Sequence, residues 1–307
     1  MNWNALKELR QIFLDGSKKN RNYWDSKELL EAYDETFAKR IGWKWDSVLN
    51  EIKPKLHIKA GFTLVDWGAG TGIATRRFLS HFEDSVPEKI ILVERSEAAR
   101  EFAKSKIQLE SQIPVETSPQ IKDLPSSTVL LVSHVLTELS DPAIEELSQL
   151  AAQASEVIWI EPGTPECSQH LARVRQKLLP HLQVVAPCTH DSPCPLLDAH
   201  QDWCHHFTAV PSEAFTTEKW KTFSKEMGID LRSLPTSYLV LSKNFSLERE
   251  KPLERLIGRS RVYKGYALAD FCGPKGITHA KIFEKTDKKL IRFLKDAPFS
   301  YLRDATK

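Results

Sequence analysis

The sequence of 307 residues has no apolar run close to the roughly 20 residues that a membrane-spanning helix needs. It also has no internal repeat and no low-complexity tract. The first twenty residues lack the apolar stretch of a signal peptide, and Glu8 and Asp15 do not suit a transit peptide. With 41% hydrophobic residues, the chain is long enough for one large core with appendages or for two domains. These features predict a soluble, cytoplasmic protein.

Cysteine is scarce, but three of the five cysteines, Cys188, Cys194 and Cys204, lie within seventeen residues. In the reducing compartment expected here, such a cluster indicates metal binding more often than disulfides. Cys272 lies far downstream and would complete a four-sulfur site, whereas Cys167 is expected to be an unligated thiol. The sequence contains no Cys-x-x-Cys pair of the zinc-knuckle kind. Four thiolates suit either a structural zinc ion or an iron–sulfur cluster.

Histidines near these cysteines keep a mixed Cys/His zinc site open as an alternative. They are His190, His200, His205 and His206. Each of them also fits a surface position or a place behind the metal ligands.

Charge is nearly balanced over the chain, with a net charge of +2, but its distribution is uneven. Residues 246–307 hold 15 Lys and Arg against 8 Asp and Glu, a net charge of +7. A basic C-terminal segment points to a polyanion partner such as RNA. An ordinary solvated lysine-rich face has the same composition, so charge leaves both interpretations open.

The hydrophobic pattern divides the chain into three regions. Residues 1–58 indicate helices, with apolar side chains at helical spacing. Residues 59–245 alternate helical segments with short Val/Ile/Leu runs, which is typical of a parallel sheet buried on both faces. These runs are 63–66, 89–94, 128–132, 157–161 and 238–242. Residues 246–307 form a basic extension with β-like stretches.

The segment 186–235 interrupts the α/β pattern and carries Cys188, Cys194 and Cys204. It is rich in Pro, His and Ser, so we expect metal binding rather than apolar burial to order it. We call it the cysteine-rich insertion. Cys272 would come from the C-terminal extension.

A glycine-rich loop follows the first predicted strand and precedes a helix, as a nucleotide-binding loop does. Gly68 permits a tight turn, Gly70 lets a ligand approach the backbone, and Gly72 allows the helix to pack on the strand. With Asp66 in front, the loop resembles motif I of the class I S-adenosylmethionine-dependent methyltransferases. That resemblance implies that acid and loop hold the methionine portion, and that Glu94, at the end of the second strand, holds the ribose hydroxyls.

Catalytic residues are less evident in the sequence. The Asn/Asp-Pro-Pro-Tyr signature of amino-group methyltransferases is absent. His134, after the strand at 128–132, is a candidate base, although a place in the wall of the cofactor pocket is favoured. Pro187-Cys188 has the form of the nucleophile of cytosine-C5 methyltransferases, but it follows the fifth strand rather than the fourth, which favours a metal ligand. Methyl transfer can depend on proximity and alignment alone.

The combination of motifs resembles the mitochondrial small-ribosomal-subunit methyltransferase-like assembly factors and their bacterial relatives over roughly residues 60–283. Matching segments are Asp66 to Gly72, Ser133 to Leu136, Glu161 to Pro165, Ala172-Arg173, Ala186 to Cys188, Cys194 to Leu196, Asp202 to His205, and Tyr238 to Leu241. Glu166-Cys167 departs from the glycine-containing continuation expected after Pro165, and the gap from Cys194 to Cys204 is slightly long.

This resemblance implies a class I methyltransferase (Rossmann-like) sheet, S-adenosylmethionine binding and association with small-subunit rRNA during ribosome biogenesis or translation. It further implies a [4Fe-4S] iron–sulfur cluster on Cys188, Cys194, Cys204 and Cys272. We therefore expect a monomeric methyltransferase-like protein that acts on or binds small-subunit rRNA, without a membrane partner. The alternatives are a non-catalytic S-adenosylmethionine-binding assembly factor and a small-molecule methyltransferase with structural zinc.

Overall fold

The computed structural model describes residues 2–14, 24, 26–197, 202–246, 252–295 and 299–305. Its helices are α1 (Trp3–Leu14), α2 (Lys27–Tyr33), α3 (Lys39–Ile52), α4 (Ile73–His81), α5 (Glu97–Glu110), α6 (Asp141–Ala151), α7 (Pro165–Leu178), α8 (Glu213–Thr216), α9 (Glu218–Met227) and α10 (Lys288–Lys295). A π-helical turn, Asp34–Ala38, connects α2 to α3. Its strands are β1 (Thr63–Trp67), β2 (Lys89–Val93), β3 (Val115–Ser118), β4 (Thr128–Ser133), β5 (Glu156–Pro162), β6 (Gln183–Ala186), β7 (His206–Phe207), β8 (Pro235–Ser242), β9 (Leu253–Tyr263), β10 (Tyr266–Gly273), β11 (Gly276–Phe283) and β12 (Leu302–Asp304).

The larger sheet has the strand order β3-β2-β1-β4-β5-β8-β6, and β7 also pairs with β8. Strands β1 to β5 run parallel, which confirms the expected α/β fold with a Rossmann-like sheet. The late strand β8, however, is antiparallel to β5, β6 and β7. An apolar run indicates that a strand is buried but not its direction, so this reversal could not be predicted from the hydrophobic pattern.

The central strands are buried on both faces because successive side chains point to opposite sides. Leu64 and Leu131 belong to the apolar cluster beneath α3, α4 and α5, whereas Val65 and Leu130 belong to the cluster beneath α6 and α7. All four are fully buried. Burial of each such side chain contributes about 1.5–3 kcal/mol. The two clusters fix the carboxyl ends of the parallel strands in one plane.

Helix α9 lies within the cysteine-rich insertion and packs on the N-terminal helices. Trp220, Phe223 and Met227 follow one another at helical spacing and share an apolar cluster with Leu6 and Trp43. The prediction that metal rather than apolar burial orders the whole insertion is therefore wrong for this helix. Its own amphipathic pattern supplies the burial.

The C-terminal residues form a second sheet with the strand order β11-β10-β9-β12, all of it antiparallel. Helix α10 covers one face, where Ile291 and Leu294 pack on Ala267, Ala269 and Phe271. None of the helices in the described ranges combines the length and apolar character that a bilayer crossing needs. The regional limits proposed from the sequence stay predictions.

Candidate functional site

A cavity of about 750 Å3 opens where β1, β2 and β4 end. Strand β1 lies between β2 and β4, so the order of the parallel strands reverses here, and such a crevice is the usual ligand site of an open α/β sheet. Its size is that of a small-molecule site. Its walls include Trp67 to Thr71, Ile73, Ala74, Val93 to Ser96, Pro119, Ser133 to Val135, Glu138 to Ser140 and Ala143, together with Trp24, Tyr33 and Ile41 from the N-terminal part of the chain.

The glycine loop has a left-handed backbone at each of its three glycines. Gly68, at φ 72°, leaves no room for a Cβ atom, which would come 2.7 Å from Val135 Cγ1. Gly72, at φ 75°, lets α5 approach, because a Cβ there would lie 3.1 Å from Ala103 Cβ. Gly70, at φ 50°, has nothing within 4 Å of such an atom and faces open space. The backbone of Gly70 is therefore open towards the cavity, and its contact with a ligand stays a prediction.

Glu94 lies in the cavity wall at the end of β2, where the sequence placed it. Its Oε2 accepts from the backbone N–H of Gly70 at 3.2 Å, and its Oε1 accepts from that of Ser96 at 3.1 Å. A carboxylate has about four acceptor sites, so these two bonds leave capacity for ligand hydroxyls. Glu94 thus connects the glycine loop to the start of α5.

Asp66 lies beneath the loop and outside the cavity wall. It is fully buried, and its Oδ2 accepts from the hydroxyl of Thr75 at 2.7 Å and from the Thr75 backbone N–H at 3.3 Å. Burial raises the pKa of Asp66 to about 6. Asp66 therefore holds the start of α4 under the loop through Thr75. Gly72 is also absent from the cavity wall, and its lack of a side chain lets α5 pack against the loop. Direct contact of either residue with a cofactor stays a prediction.

His134 lines the cavity from the end of β4, with a left-handed φ of 56° that its backbone bond to the Ile160 carbonyl holds. Its Nε2 lies 3.0 Å from Lys44 Nζ, and its Nδ1 lies 3.4 Å from Ser133 Oγ. Burial, then the charges of Lys44 and Arg40, hold the pKa of His134 well below its usual value. The ring is therefore neutral at physiological pH.

Lys44 and Glu161 complete a buried polar group behind His134. Burial, then the charge of Arg40, lowers the pKa of Lys44 to about 7, and burial raises the pKa of Glu161 to about 7. Glu161 Oε1 accepts three N–H bonds, from Val135 at 3.1 Å, Leu136 at 3.3 Å and Trp159 Nε1 at 2.8 Å. Its other oxygen has no hydrogen-bond partner among the described residues.

Sequence reasoning missed Lys44, Trp24 and Tyr33, since all three precede the first strand. Trp24 and Tyr33 pack edge to face, with ring centroids 4.7 Å apart. Their aromatic character was a weak signal, because large rings in helical regions usually belong to a core. Lys44 carried no signal at all, being one charged residue on an amphipathic helix.

The four cysteines of the predicted metal site act on one another electrostatically. Burial, then the thiols of Cys188, Cys272 and Cys194, raise the pKa of Cys204 well above its usual value. Burial, then Cys188 and Cys194, raise the pKa of Cys272 to about 12, and Cys188 acts similarly on Cys194. Cys167 is fully buried beside Glu161, apart from this group.

No group of three or more His, Cys, Asp or Glu side chains within the described ranges has an arrangement that holds a metal ion. The metal site is thus not part of the observed structure, and its ligands stay predictions. The donor set itself suits a thiolate-bound metal, since Cys188, Cys194, Cys204 and Cys272 are all half-buried thiols without disulfides. Of the neighbouring histidines, His206 Nε2 lies 3.8 Å from Cys204 Sγ, and His200 lies outside the described residues.

The sequence model of the family described as mitochondrial small ribosomal subunit Rsm22 matches residues 44–300. The chain belongs to this family. The match includes Lys44, the glycine loop, His134 and the four cysteines, and it covers most of the cavity wall and the strands β9 to β11. It confirms the family resemblance of the sequence. A comparison with curated proteins found no match.

Solved structures that resemble this chain include several methyltransferases. The plantazolicin methyltransferase BamL is 10% identical, with a TM-score of 0.40, over 78% of this chain and 99% of its own. The mitomycin 7-O-methyltransferase MmcR is 17% identical, with a TM-score of 0.40, over 61% and 65%. A SAM-dependent methyltransferase from Aquifex aeolicus is 17% identical, with a TM-score of 0.36, over 52% and 89%. At such scores, neither fold nor function is assigned from these likenesses.

Proposed function

We propose that this Rsm22-family protein is an S-adenosylmethionine-dependent methyltransferase that acts on rRNA of the small ribosomal subunit. The observation that carries the proposal is Glu94, whose carboxylate binds the backbone of the glycine loop within the cavity at the strand-order reversal. The family supports the ribosomal context. The cavity supports a small-molecule cofactor.

The walls suit S-adenosylmethionine in shape and polarity. Glu94 retains acceptor capacity for the two ribose hydroxyls, and a bidentate contact of this kind is strong. Gly70 presents open backbone to the methionine portion, and Asp66 supports the loop from beneath. When bound, S-adenosylmethionine supplies an activated methyl group.

His134 lines the cavity wall, but burial, then the charges of Lys44 and Arg40, hold its pKa well below the usual value, so its ring is a weak base. Lys44 Nζ holds one side of the ring and Ser133 Oγ the other. In this proposal His134 chiefly shapes the pocket and orients the acceptor, since alignment supplies most of the rate of methyl transfer.

The proposal extends to a [4Fe-4S] cluster on Cys188, Cys194, Cys204 and Cys272, with zinc as the alternative metal. The mutual influence of these thiols supports it, as does their half-buried, disulfide-free state. Such a centre would connect the cysteine-rich insertion to the basic C-terminal extension. The regional limits 1–58, 59–245 and 246–307, the monomeric state and the cytoplasmic location belong to the same proposal.

Metal content is tested on anaerobically purified protein by an absorption spectrum with iron, sulfide and zinc determination. Cys188→Ser and Cys272→Ser should each remove most of the metal. Cys167→Ala is the matched control, because it removes the one thiol outside the group. Full metal content in both serine variants would refute the cluster.

Catalysis is tested by tritium transfer from labelled S-adenosylmethionine to immature small subunits, alongside calorimetric binding of the cofactor. Gly70→Asp should abolish both signals, because its carboxylate faces the cofactor and repels the carboxylate of the methionine portion. Gly228→Asp is matched in backbone and space: it also has a left-handed backbone, φ 58°, and nothing within 4 Å of a Cβ. Cofactor binding without methyl transfer would instead identify a non-catalytic assembly factor.

A further inference from the structure

The face of the C-terminal sheet opposite α10 presents a row of large rings. Because strand side chains alternate, Ala267 and Phe271 lie under α10 while Tyr266 points to the other side. Tyr263 of β9 and Phe283 of β11 are both in register with Tyr266 of β10. Residues directly opposite across a pair of strands share a face, so the three rings lie side by side.

Two features mark these rings as a contact surface rather than part of a core. Tyr263 and Tyr266 are stacked, with ring centroids 5.0 Å apart and an interplanar angle of 21°. The outer ring, Tyr263, is 47% exposed, and Phe283 is 43% exposed. The exposed side of Tyr263 is therefore available for stacking by another flat ring.

Cations frame these rings on the same face. Lys281 precedes Phe283 by two residues, and its Nζ lies 4.6 Å from the Tyr266 ring centroid and 5.2 Å from that of Phe283. Arg261 precedes Tyr263 by two residues and is exposed. Both cations are in register with Leu268. We call Arg261, Tyr263, Tyr266, Lys281 and Phe283 the aromatic face.

An acid also lies on this side of the sheet, but nearer to Cys272. The carboxylate of Asp270 is engaged in a hydrogen bond with His279 Nδ1 at 2.7 Å. The aromatic face itself carries two cations and no acid. Its charge suits a polyanion, in agreement with the net charge of +7 for residues 246–307.

We infer that the aromatic face binds a single-stranded segment of RNA, with bases stacked on Tyr263 and Phe283 and phosphates in contact with Arg261 and Lys281. Duplex RNA keeps its bases stacked internally, so it offers nothing to exposed rings, whereas unpaired bases can stack on them. This inference rests on the proposed function for the choice of RNA as partner. Beyond that function, it specifies that the RNA is single-stranded and names the residues that bind it.

The test is fluorescence anisotropy of the full-length protein with a labelled RNA of about ten nucleotides that cannot self-pair, a length within the range for such surfaces. Tyr263→Ala should weaken binding about tenfold, since loss of one base stack costs this much, and Tyr263→Phe should bind as the wild type does. Lys281→Ala should reduce the slope of log Kd against log salt by about 0.7, the value for one phosphate of a single strand.

Phe215→Ala is the matched control for Tyr263→Ala, because Phe215 is also 47% exposed but lies on α8. Lys122→Ala, at an exposed lysine before β4, is the control for charge. Neither should change the affinity. Circular dichroism and melting temperatures confirm that each variant folds.

Three results would overturn the inference: no binding of the single strand, equal binding of the same RNA annealed to its complement, or unchanged affinity in Tyr263→Ala. The last would point to a protein partner for these rings. Calorimetry with S-adenosylmethionine on the same samples separates the two proposals. Cofactor binding without tyrosine-dependent RNA binding contradicts only the aromatic face, whereas the reverse contradicts only the methyltransferase.

Discussion

Lys44 Nζ lies 3.0 Å from His134 Nε2, so a lysine of the N-terminal helix α3 pairs with a ring that lines the cavity. The neighbouring Trp45 Nε1 donates to Ser133 Oγ at 3.0 Å. Two consecutive residues of α3 thus hold two consecutive residues at the end of β4. The wall of the cavity at the end of β4 therefore depends on a helix from outside the Rossmann-like sheet.

Replacement of Lys44 by Met should change how stability depends on pH. The pKa of Lys44 is about 7 in the folded protein, below its ordinary value of 10.5, so the unfolded chain binds the additional proton between these limits. Wild-type stability should therefore rise relative to Lys44→Met as pH increases from about 7 to 10. Urea unfolding at a series of pH values measures the difference. Lys53→Met, at the exposed end of α3, is the control for the loss of one lysine charge.

The same Lys44→Met variant should raise the pKa of His134. Burial is the larger cause of the low value and persists, but the repulsive charge of Lys44 is removed. Titration of the His134 ring by NMR, with His57 as a reference, would show the direction. An unchanged titration would mean that Lys44 does not act on the ring.

Glu161→Gln and Glu161→Ala should separate the charge of Glu161 from its hydrogen bonds. The folded-state pKa, about 7, exceeds the ordinary 4.5, so the native state holds a proton that the unfolded chain releases, and wild-type stability should fall between pH 4.5 and 7. Glutamine keeps the Oε1 acceptor and should remove this loss. Alanine leaves three buried N–H groups unpaired and should cost about 1–3 kcal/mol for each. Equilibrium unfolding at pH 5 and 7 tests both.

Arg255→Met should strongly destabilise the attachment of the C-terminal sheet. Arg255 Nη2 lies 2.5 Å from Glu51 Oε1, and the Tyr238 hydroxyl donates to Glu51 Oε2 at 2.6 Å, all in a buried position. Burial opposes ionisation of Glu51, yet Arg255 and Lys55 lower its pKa to about 2. Removal of one partner of a buried pair typically costs about 3–5 kcal/mol.

The double variant Arg255→Met/Glu51→Gln should recover part of that loss, since no lone charge stays buried. Wild-type stability should also decline as pH falls from about 4.5 towards 2, because a carboxylate with a lowered pKa contributes only while ionised. The double variant should lack this decline. Fluorescence-monitored unfolding between pH 2 and 4.5 measures the stability of both proteins. The same pH dependence in the wild type and the double variant would contradict the pairing of Glu51 with Arg255.

Gly68→Ala should damage the cavity, whereas Gly70→Ala should be milder. Both glycines have a positive φ, which alanine adopts at some cost, but only at Gly68 would the new methyl group meet Val135 Cγ1, at 2.7 Å. Gly68→Ala should therefore lose about 1–3 kcal/mol more stability by overpacking. Thermal unfolding compares the two. Equal melting temperatures would contradict the contact with Val135.

The sequence predicted the parts of the site that are local in the chain. Strand, loop and helix succeed one another around Gly68, Gly70 and Gly72, and Glu94 and His134 end the next strands, so periodicity alone placed them at one edge of the sheet. Asp66 was predicted to act with the same loop. Its burial beneath the loop depends on the hydrogen bond from Thr75 and on the packing of α4, which the pattern does not show. The hydrophobic pattern gives the position of a side chain along a strand or helix. It does not give the orientation that contacts with neighbouring segments impose on that side chain.

What the sequence could not predict depends on contacts between distant segments. Tyr33 reaches the cavity, and Lys44 reaches His134 behind its wall, only because α3 and the residues before it pack against the sheet. In the cysteine-rich insertion, the proline and histidine content led to a prediction of order through metal binding. The helical spacing of Trp220, Phe223 and Met227 was visible in the sequence and indicated the buried helix that is observed. The antiparallel direction of β8 follows from how the chain returns, which apolar runs do not encode.

Helix α3 has its two polar anchors about two turns apart, Lys44 towards the cavity and Glu51 towards the strand that carries Arg255. Strand β9 is in turn hydrogen-bonded to β10, where Arg255 is in register with Cys272. Helix α3 therefore connects His134, in the cavity wall, to the strand that begins the C-terminal sheet. A displacement of that sheet would be transmitted through Glu51 and α3 to the position of His134.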